Sequence, residues 1–401
     1  VSKGTVGALA GRSGASQGEI VEIPHHPARR ASHPGFFLTA PPLPRLNYLP
    51  LTPMAAPSPW PTLLEQLLQG QALSEPQATA LMQGWLSGGL EPELTGALLA
   101  ALRCKGLSGE ELAAMARVLR EASCLPGERP PLKLVDTCGT GGDGADTFNI
   151  STAVAFVAAA CGATVAKHGN RSASGKVGSA DVLEAIGLNL KADLNTVVAA
   201  LPSSGVTFLF APGWHPALVE LAPVRRRLGV RTVFNLLGPL VNPMRPEAQV
   251  LGVAKAELLE PMADALARLG LERAVVVHGH GGLDEASLAG VNQLRLVEGG
   301  TVRALEVDPQ ELGLELAPLS ALAGGDLETN RRILEAVLRG EGSAPQREVV
   351  ALNTALVLWA AGLADSVPEG LEQALVALSG EAPWQRLEQL KAALQEPPSD
   401  S

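Results

Sequence analysis

Residues 134–181 constrain the fold more than any other stretch of the chain. They read LVDTCGTGGDGADTFNISTAVAFVAAACGATVAKHGNRSASGKVGSAD. An apolar run ends in a glycine-rich turn, a small-residue helix follows, and a second apolar run ends in a loop of Gly, Ser and Asn. This order is the strand–helix–strand unit of a parallel sheet. It sends two loops from neighbouring strands to one edge, where both can close on one ligand. The weakly polar run from Ile150 to Ala166 is broken by Ser151, Thr152, Gly162 and Thr164. It is too short for a membrane span, and its small side chains suit a helix pressed against a sheet.

The first loop, Gly139-Thr140-Gly141-Gly142-Asp143-Gly144, contains G-x-G-x-x-G after a strand. A dinucleotide site of that kind also needs an acidic residue at the end of the second strand, to hold a ribose hydroxyl. Here that strand ends in Lys167-His168-Gly169-Asn170-Arg171, the wrong sign for NAD, although Arg171 leaves NADP open. A G-K-[ST] triplet is missing too, which excludes a Walker ATP site. A ligand with several phosphates and one sugar fits better. Glycines let backbone N–H groups approach anionic oxygens. Asn149-Ile150-Ser151-Thr152 opens the next helix and can bind further phosphate oxygens at its N-terminus. The second loop adds the cations Lys167 and Arg171, with Lys176 beyond it, and the hydroxyls of Ser172, Ser174 and Ser179.

The rest of the chain packs this unit. Residues 60–123 read as about four short helices, with Leu63, Leu64, Leu67 and Leu68 in one stripe and capping-box spacing at Ser74–Gln77 and Ser108–Glu111. The Pro- and Gly-containing segment 125–131 reads as a hinge. Strands are expected at Leu132–Asp136, Thr164–Lys167, Val206–Phe210, Ala248–Val253 and Arg273–His278, with helices between them and a mainly helical stretch from Arg331 to Leu394. The fold class is therefore α/β: a small helical domain (54–124, with helices of 216–229 packing on it) and a larger α/β domain (132–398) with a central, mostly parallel sheet flanked by helices. Net charge is −10, which argues against a nucleic-acid surface. The four cysteines, Cys104, Cys124, Cys138 and Cys161, form no C-x-x-C pair and read as reduced thiols. Residues 1–53 are rich in Pro, Gly, Ser and Arg, without periodicity. They read as a disordered extension upstream of a start at Met54, with a plastid transit peptide as the alternative.

Several motifs together resemble the anthranilate phosphoribosyltransferases. They are D-T-C-G-T-G-G-D-G-x-x-T-F-N-I-S-T from Asp136, K-H-G-N-R-S-x-S from Lys167 and G-S-A-D from Gly178. Further along come H-P-A-L at 215–218, A-P-V-R-R-R-L-G at 222–229, R-T-V-F-N-L-L-G-P-L-V-N-P at 231–243 and L-D-E at 283–285. The resemblance spans about residues 60–395. It implies transfer of phosphoribose from phosphoribosyl pyrophosphate to the amine of anthranilate, in tryptophan biosynthesis. It implies that Gly139, Gly142, Asp143, Thr147, Asn149, Ile150, Ser151, Thr152, the run Lys167, His168, Gly169, Asn170, Arg171, Ser172, Ala173, Ser174, Gly175, and Ser179 hold the donor. Anthranilate falls to Gly139, Asn170 and Arg225, since an arginine suits a carboxylate. Arg226 and Arg227 are read as structural ion pairs. Mg²⁺, two ions per subunit, falls to Ser151, Asp284 and Glu285, hard oxygen ligands suited to that ion. A homodimer in the cytoplasm, with no nucleic-acid or membrane partner, completes what the resemblance implies.

An aromatic amine attacks as the neutral base present at pH 7, so no general acid or base is assigned. His168 is read as ordering its loop. The family's acidic residue before G-L-D-E is replaced here by Gly281, and His278-x-His280 lacks further ligands for a metal site. Two rival readings remain: a nucleoside phosphorylase of the same fold, and a binding protein that has lost its substrate contacts. The Ser151, Asp284 and Glu285 set speaks against the first. The net charge and the intact loop residues speak against the second. Removing residues 1–53, so that the chain starts at Met54, is expected to leave turnover and thermal midpoint unchanged; steady-state kinetics and calorimetry on the shortened chain check this.

Overall fold

The computed structural model describes residues 59–171 and 177–395. The extension 1–53, Met54, the loop residues Ser172, Ala173, Ser174, Gly175 and Lys176, and the last residues to 398 and beyond lie outside the described residues.

Four helices come first: α1 (Trp60–Leu68), α2 (Glu75–Leu86), α3 (Pro92–Lys105) and α4 (Gly109–Glu121). Proline stands in the first turn of α1, α2 and α3, where its missing N–H costs nothing. The capping box at Ser108 is complete: Glu111 N donates to Ser108 Oγ, and Ser108 N donates to Glu111 Oε2. At Ser74, the backbone N–H donates to Gln77 Oε1 at 2.9 Å and the hydroxyl donates to the same oxygen at 3.2 Å. Glu111 is wholly buried and does more than cap. Its carboxylate also accepts from Leu73 N, 2.8 Å away, and pairs with Lys105 Nζ at 2.8 Å. One side chain thus ties the approach to α2, the end of α3 and the start of α4 together.

The sheet follows. Its strands are β1 (Val135–Gly139), β2 (Val165–Gly169), β3 (Val206–Phe210), β4 (Ala248–Gly252), β5 (Arg273–His278), β6 (Asn292–Glu298) and β7 (Thr301–Val307). Spatial order is β3-β2-β1-β4-β5-β6-β7. β3 through β5 in that order are parallel, while β6 and β7 run antiparallel. β1 lies a few residues later than its expected span. The β6–β7 hairpin was not among the expected strands. Its two-residue turn is Gly299-Gly300, with φ of 56° and 78°, the pair of left-handed residues that a tight hairpin requires. Alternating Gln293, Leu294, Arg295 and Leu296 carry the matching period of two.

The connecting helices are α5 (Ile150–Ala160), α6 (Ser179–Ala185), α7 (Leu194–Ala199), α8 (Leu201–Ser204), α9 (Ala211–Trp214), α10 (Ala222–Leu228), α11 (Phe234–Leu237) and α12 (Leu259–Arg268). Four more close the chain: α13 (Leu327–Leu338), α14 (Ala344–Ala361), α15 (Val367–Ala377) and α16 (Ala382–Ala393). The sheet separates two hydrophobic cores. On β5, Val275 and Val277 face one core, with α5 and α14, while Ala274 and Val276 face the other. That second core joins the sheet to α12 and the four-helix bundle, including Trp85, Leu102 and Met115. α4 approaches α12 closely because Gly109 has no side chain; a methyl there would overlap Asp264. Leu221 and Leu228, flanking and ending α10, pack into the bundle, Leu228 against Gly96 of α3. Nearly every residue of α5 is buried, as its alanines allow. Among the described residues, no helix is long and apolar enough to cross a membrane.

Because Glu111 is buried against four donors, Glu111→Ala leaves Lys105 and two backbone N–H groups unpaired. The expected loss is about 3–5 kcal/mol of unfolding free energy, read from urea denaturation.

Candidate active site

The chain runs outward from β1 through β2 to β3, then returns to β4 on the other side of β1. The order reverses between β1 and β4, and ligand crevices of open parallel sheets form outside such a switch point. Three glycines mark it. Gly139 ends β1, Gly252 ends β4 as its register partner, and Gly279 follows β5. A methyl at Gly139 would overlap the Asp284 carboxylate, one at Gly252 the Asp284 carbonyl, and one at Gly279 the Glu285 carbonyl. The 284–285 backbone therefore lies directly across three strand ends. A turn closed by Gly279 N to Leu283 O at 2.9 Å delivers it there. From below, Asn353 of α14 holds it with paired 2.8 Å bonds to the N–H and carbonyl of Ala286.

This crossing brings Asp284 and Glu285 onto the glycine loop. Their carboxylate oxygens and one of Asp143 lie within 4.8 Å of one another. Gly141 N donates to Asp284 Oδ2 at 2.6 Å. Burial, and then repulsion within the trio, push the carboxyls of Asp284 and Glu285 well above the usual range. Three hard oxygen donors that repel one another are a donor set for a hydrated Mg²⁺. Ser151, at the start of α5, borders the same corner, and its Oγ accepts from Lys167 Nζ at 3.3 Å. Asp143 was expected at the donor and is brought to the acidic corner as well. His278 and His280 belong to no such cluster among the described residues.

A cleft of about 1670 Å³ opens from this corner. Gly139, Gly142, Asp143, Thr147, Asn149, Ser151, Thr152, Lys167, His168, Gly169, Asn170, Arg171, Ser179, Arg225, Asp284 and Glu285 all line it. Asn149 Oδ1 and Thr152 Oγ1 are buried at the start of α5 without a partner, so this helix end retains free hydrogen-bonding capacity. Ile150 differs: its side chain is in the core and its N–H donates to Phe148 O. Lys167 is buried and donates to Thr137 O at 2.5 Å, so it reaches the cleft from beneath. Arg171 points to Asp181 and Glu184, at 2.7 and 2.8 Å.

The end of β2 rests on a buried polar floor. Asp136 accepts from His168 N at 3.2 Å and from Asn242 Nδ2 at 2.9 Å, and burial raises its carboxyl to about 6 despite nearby Lys167. His168 Nδ1 lies 3.1 Å from Gly238 O, and its ring meets His215 edge-on at 5.2 Å. Burial, reinforced by His215, lowers His168 to about 3, so its ring is neutral at physiological pH.

On the opposite wall Arg225 of α10 is half-buried over the Phe234 ring, 5.1 Å from its centroid. It has no carboxylate partner among the described residues, and burial lowers its pKa. Arg226 and Arg227, read as structural ion pairs, form none with another described residue. Two features escaped the sequence reading. Arg231 lines the cleft beside the glycine loop. Residues 322–324 pair with 146–148, through Phe148 N to Leu322 O at 3.0 Å and Gly324 N to Asp146 O at 2.8 Å. The signal for this strap was Gly324-Gly325 ahead of Asp326, whose side chain caps α13.

Comparison with known proteins places the chain in context. The model of the glycosyl transferase family a/b domain matches residues 132–382, and that of the family's helical bundle domain matches residues 61–123. The anthranilate phosphoribosyltransferase of Prochlorococcus marinus (strain MIT 9313) is 68% identical over 343 residues, which are 86% of this chain and 98% of that protein. The crystal structure of the enzyme of that name from Thermus thermophilus superposes with a TM-score of 0.78 at 44% identity, over 83% of this chain and 99% of that one. The Saccharomyces cerevisiae enzyme of the same name, in complex with PRPP and Mg, gives a TM-score of 0.76 at 28% identity, over 85% and 99%.

The strand-end glycines yield a steric prediction. Gly252→Ala forces the Asp284 backbone off β4 and is expected to cost about 1–3 kcal/mol or more. Gly380→Ala, where an added methyl meets nothing within 4 Å, is expected to change stability by less than about 1 kcal/mol. Urea unfolding of the two variants separates these outcomes.

Proposed function

We propose a division of labour in the cleft that proceeds from one premise: the chain belongs to the anthranilate phosphoribosyltransferase family. It transfers the phosphoribosyl group of 5-phosphoribosyl 1-pyrophosphate to the amine of anthranilate and releases pyrophosphate, the second step from chorismate to L-tryptophan. The activity is a pentosyl transfer, EC 2.4.2.18, and it uses magnesium.

In our reading the donor lies against the glycine loop and the start of α5. The N–H groups of residues 142–144, Asn149, Ser151 and Thr152 bind its phosphates, with Lys167 beneath and Thr147, the 167–175 loop and Ser179 around them. Ser151, Asp284 and Glu285 hold two magnesium ions, joined by Asp143. When bound, Mg²⁺ neutralises pyrophosphate and so eases its departure. The C1–O bond breaks with oxocarbenium character, so the chain's own contribution is orientation and charge complementarity. Arg225 fixes the anthranilate carboxylate, with Asn170 and the Gly139 backbone beside it. That orients the amine toward C1. The amine is neutral at pH 7 and loses its proton after attack, so no side chain is assigned as a base.

The observation that carries this reading is the placement of the acidic trio and the free Asn149 and Thr152 side-chain oxygens of the α5 start on one wall, with Arg225, which has no carboxylate partner among the described residues, on the other. We further propose that residues 54–124 and 132–398 act as two domains that close about the 125–131 hinge. The helical one, with 216–229 packed on it, forms a homodimer face, and the protein works in the cytoplasm.

Anthranilate fluorescence is expected to decay when the protein meets phosphoribosyl pyrophosphate and Mg²⁺. Asp284→Asn combined with Glu285→Gln is expected to lower that rate by on the order of 10²–10³-fold. Its thermal midpoint should hold or rise, because the change removes two repelling buried carboxylates. Unaltered Mg²⁺ dependence in this double variant would sink the assignment.

A further inference from the structure

One peptide group in the cleft is gripped at both ends. The carbonyl oxygen of Thr140 accepts from Arg231 Nη2 at 2.5 Å. The N–H of the same peptide, that of Gly141, donates to Asp284 Oδ2 at 2.6 Å. The peptide therefore stands between a guanidinium and a carboxylate, with its dipole aligned to both: positive partner at the oxygen, negative partner at the N–H. Such a chain polarises and stiffens each of its bonds. Arg231 lies flat against the loop because residue 142 is glycine; a methyl there would overlap the guanidinium. On its other side, the Arg231 carbonyl accepts from Arg103 Nη1 of α3 at 2.6 Å. Arg231 is half-buried and forms no ion pair with a described carboxylate, so its fork is free for this backbone role.

We propose that Arg231 is a positioning residue for Asp284: through the Thr140–Gly141 peptide it sets the direction of that carboxylate, and through Arg103 it links that direction to the helical bundle. Freed from Arg231, the peptide can rotate about ψ of Thr140 and φ of Gly141. Asp284 then loses its backbone donor Gly141 N and swings relative to Asp143 and Glu285. The inference rests on Asp284 being a metal ligand, as proposed above.

The sign of the metal affinity makes the idea testable. Charge alone predicts that removing a cation beside an acidic trio tightens binding of a divalent ion. Lost positioning predicts the opposite. Mn²⁺ titration followed by electron paramagnetic resonance, on the full chain without substrates, reads the affinity directly. Hydrogen–deuterium exchange over residues 139–144 reads the loop. Arg231→Met is expected to weaken Mn²⁺ binding about 10-fold and to speed exchange in that peptide. Arg231→Lys keeps the charge but offers a point donor in place of a fork, and is expected to fall between the two. Arg231→Lys also decides the matter if the methionine variant fails to fold. Native or tighter Mn²⁺ binding in the folded Arg231 variants overturns the proposal, including the case where only pyrophosphate affinity falls. Asp284→Asn in the same titration isolates the premise. If it binds Mn²⁺ like the parent, the metal assignment fails; if it does not while the Arg231 variants do, only the present inference fails.

Discussion

The structure depends on how closely one backbone can cross the ends of three strands. Residues 284 and 285 lie against β1, β4 and the end of β5 at distances that no side chain on those strand ends would permit. Glycine at 139, 252 and 279 makes the crossing possible, and Asn353 holds it from beneath. The crossing converts a generic switch-point crevice into one with an acidic corner. It also explains why two carboxylates stay in a place that raises their pKa values. The energy of burying them is met by packing across the whole strand-end layer, and a cation held there, as proposed, would relieve their repulsion.

Much of this was legible in the sequence. The strand–loop–helix–strand unit, the phosphate-compatible α5 start and the mostly parallel sheet follow from local pattern and turn chemistry. The four bundle helices follow from caps and prolines. What was not legible depends on contacts between distant segments. No spacing rule leads from Arg231 to Thr140, because their contact arises when α11 and its approach fold back over β1. The strap at 322–324 is likewise a pairing across a gap of more than 170 residues. The β6–β7 hairpin is a different case, since Gly299-Gly300 between alternating residues was a sufficient local signal. Ile150 shows the limit of reading a motif letter by letter. Its neighbours at 149, 151 and 152 turn to the cleft, while helical geometry turns it into the core.

The floor beneath the end of β2 shows how charge is managed where side chains cannot be spared. Asp136, Asn242 and the backbone at His168 form one buried network, and Lys167 lies close enough to attract Asp136. Neither charge has a full ion pair, so each is stabilised by several partial contacts. His168 and His215 stay neutral for the same reason: burial of an imidazolium there would go uncompensated. The two rings beside the end of β2 thus stay uncharged across physiological pH.

The two walls of the cleft are made of different material. The wall with the glycine loop and the start of α5 presents mainly backbone groups and short side chains, and at Gly139 and Gly142 there is no room for a methyl. The wall formed by α10 presents long side chains on a short helix whose residues are all at least partly exposed. For protein engineering this is a modular surface. With Arg225 kept as the proposed acceptor anchor, side-chain exchange is directed at the other α10 positions, whereas the tight contacts at Gly139 and Gly142 leave the opposite side little room for substitution.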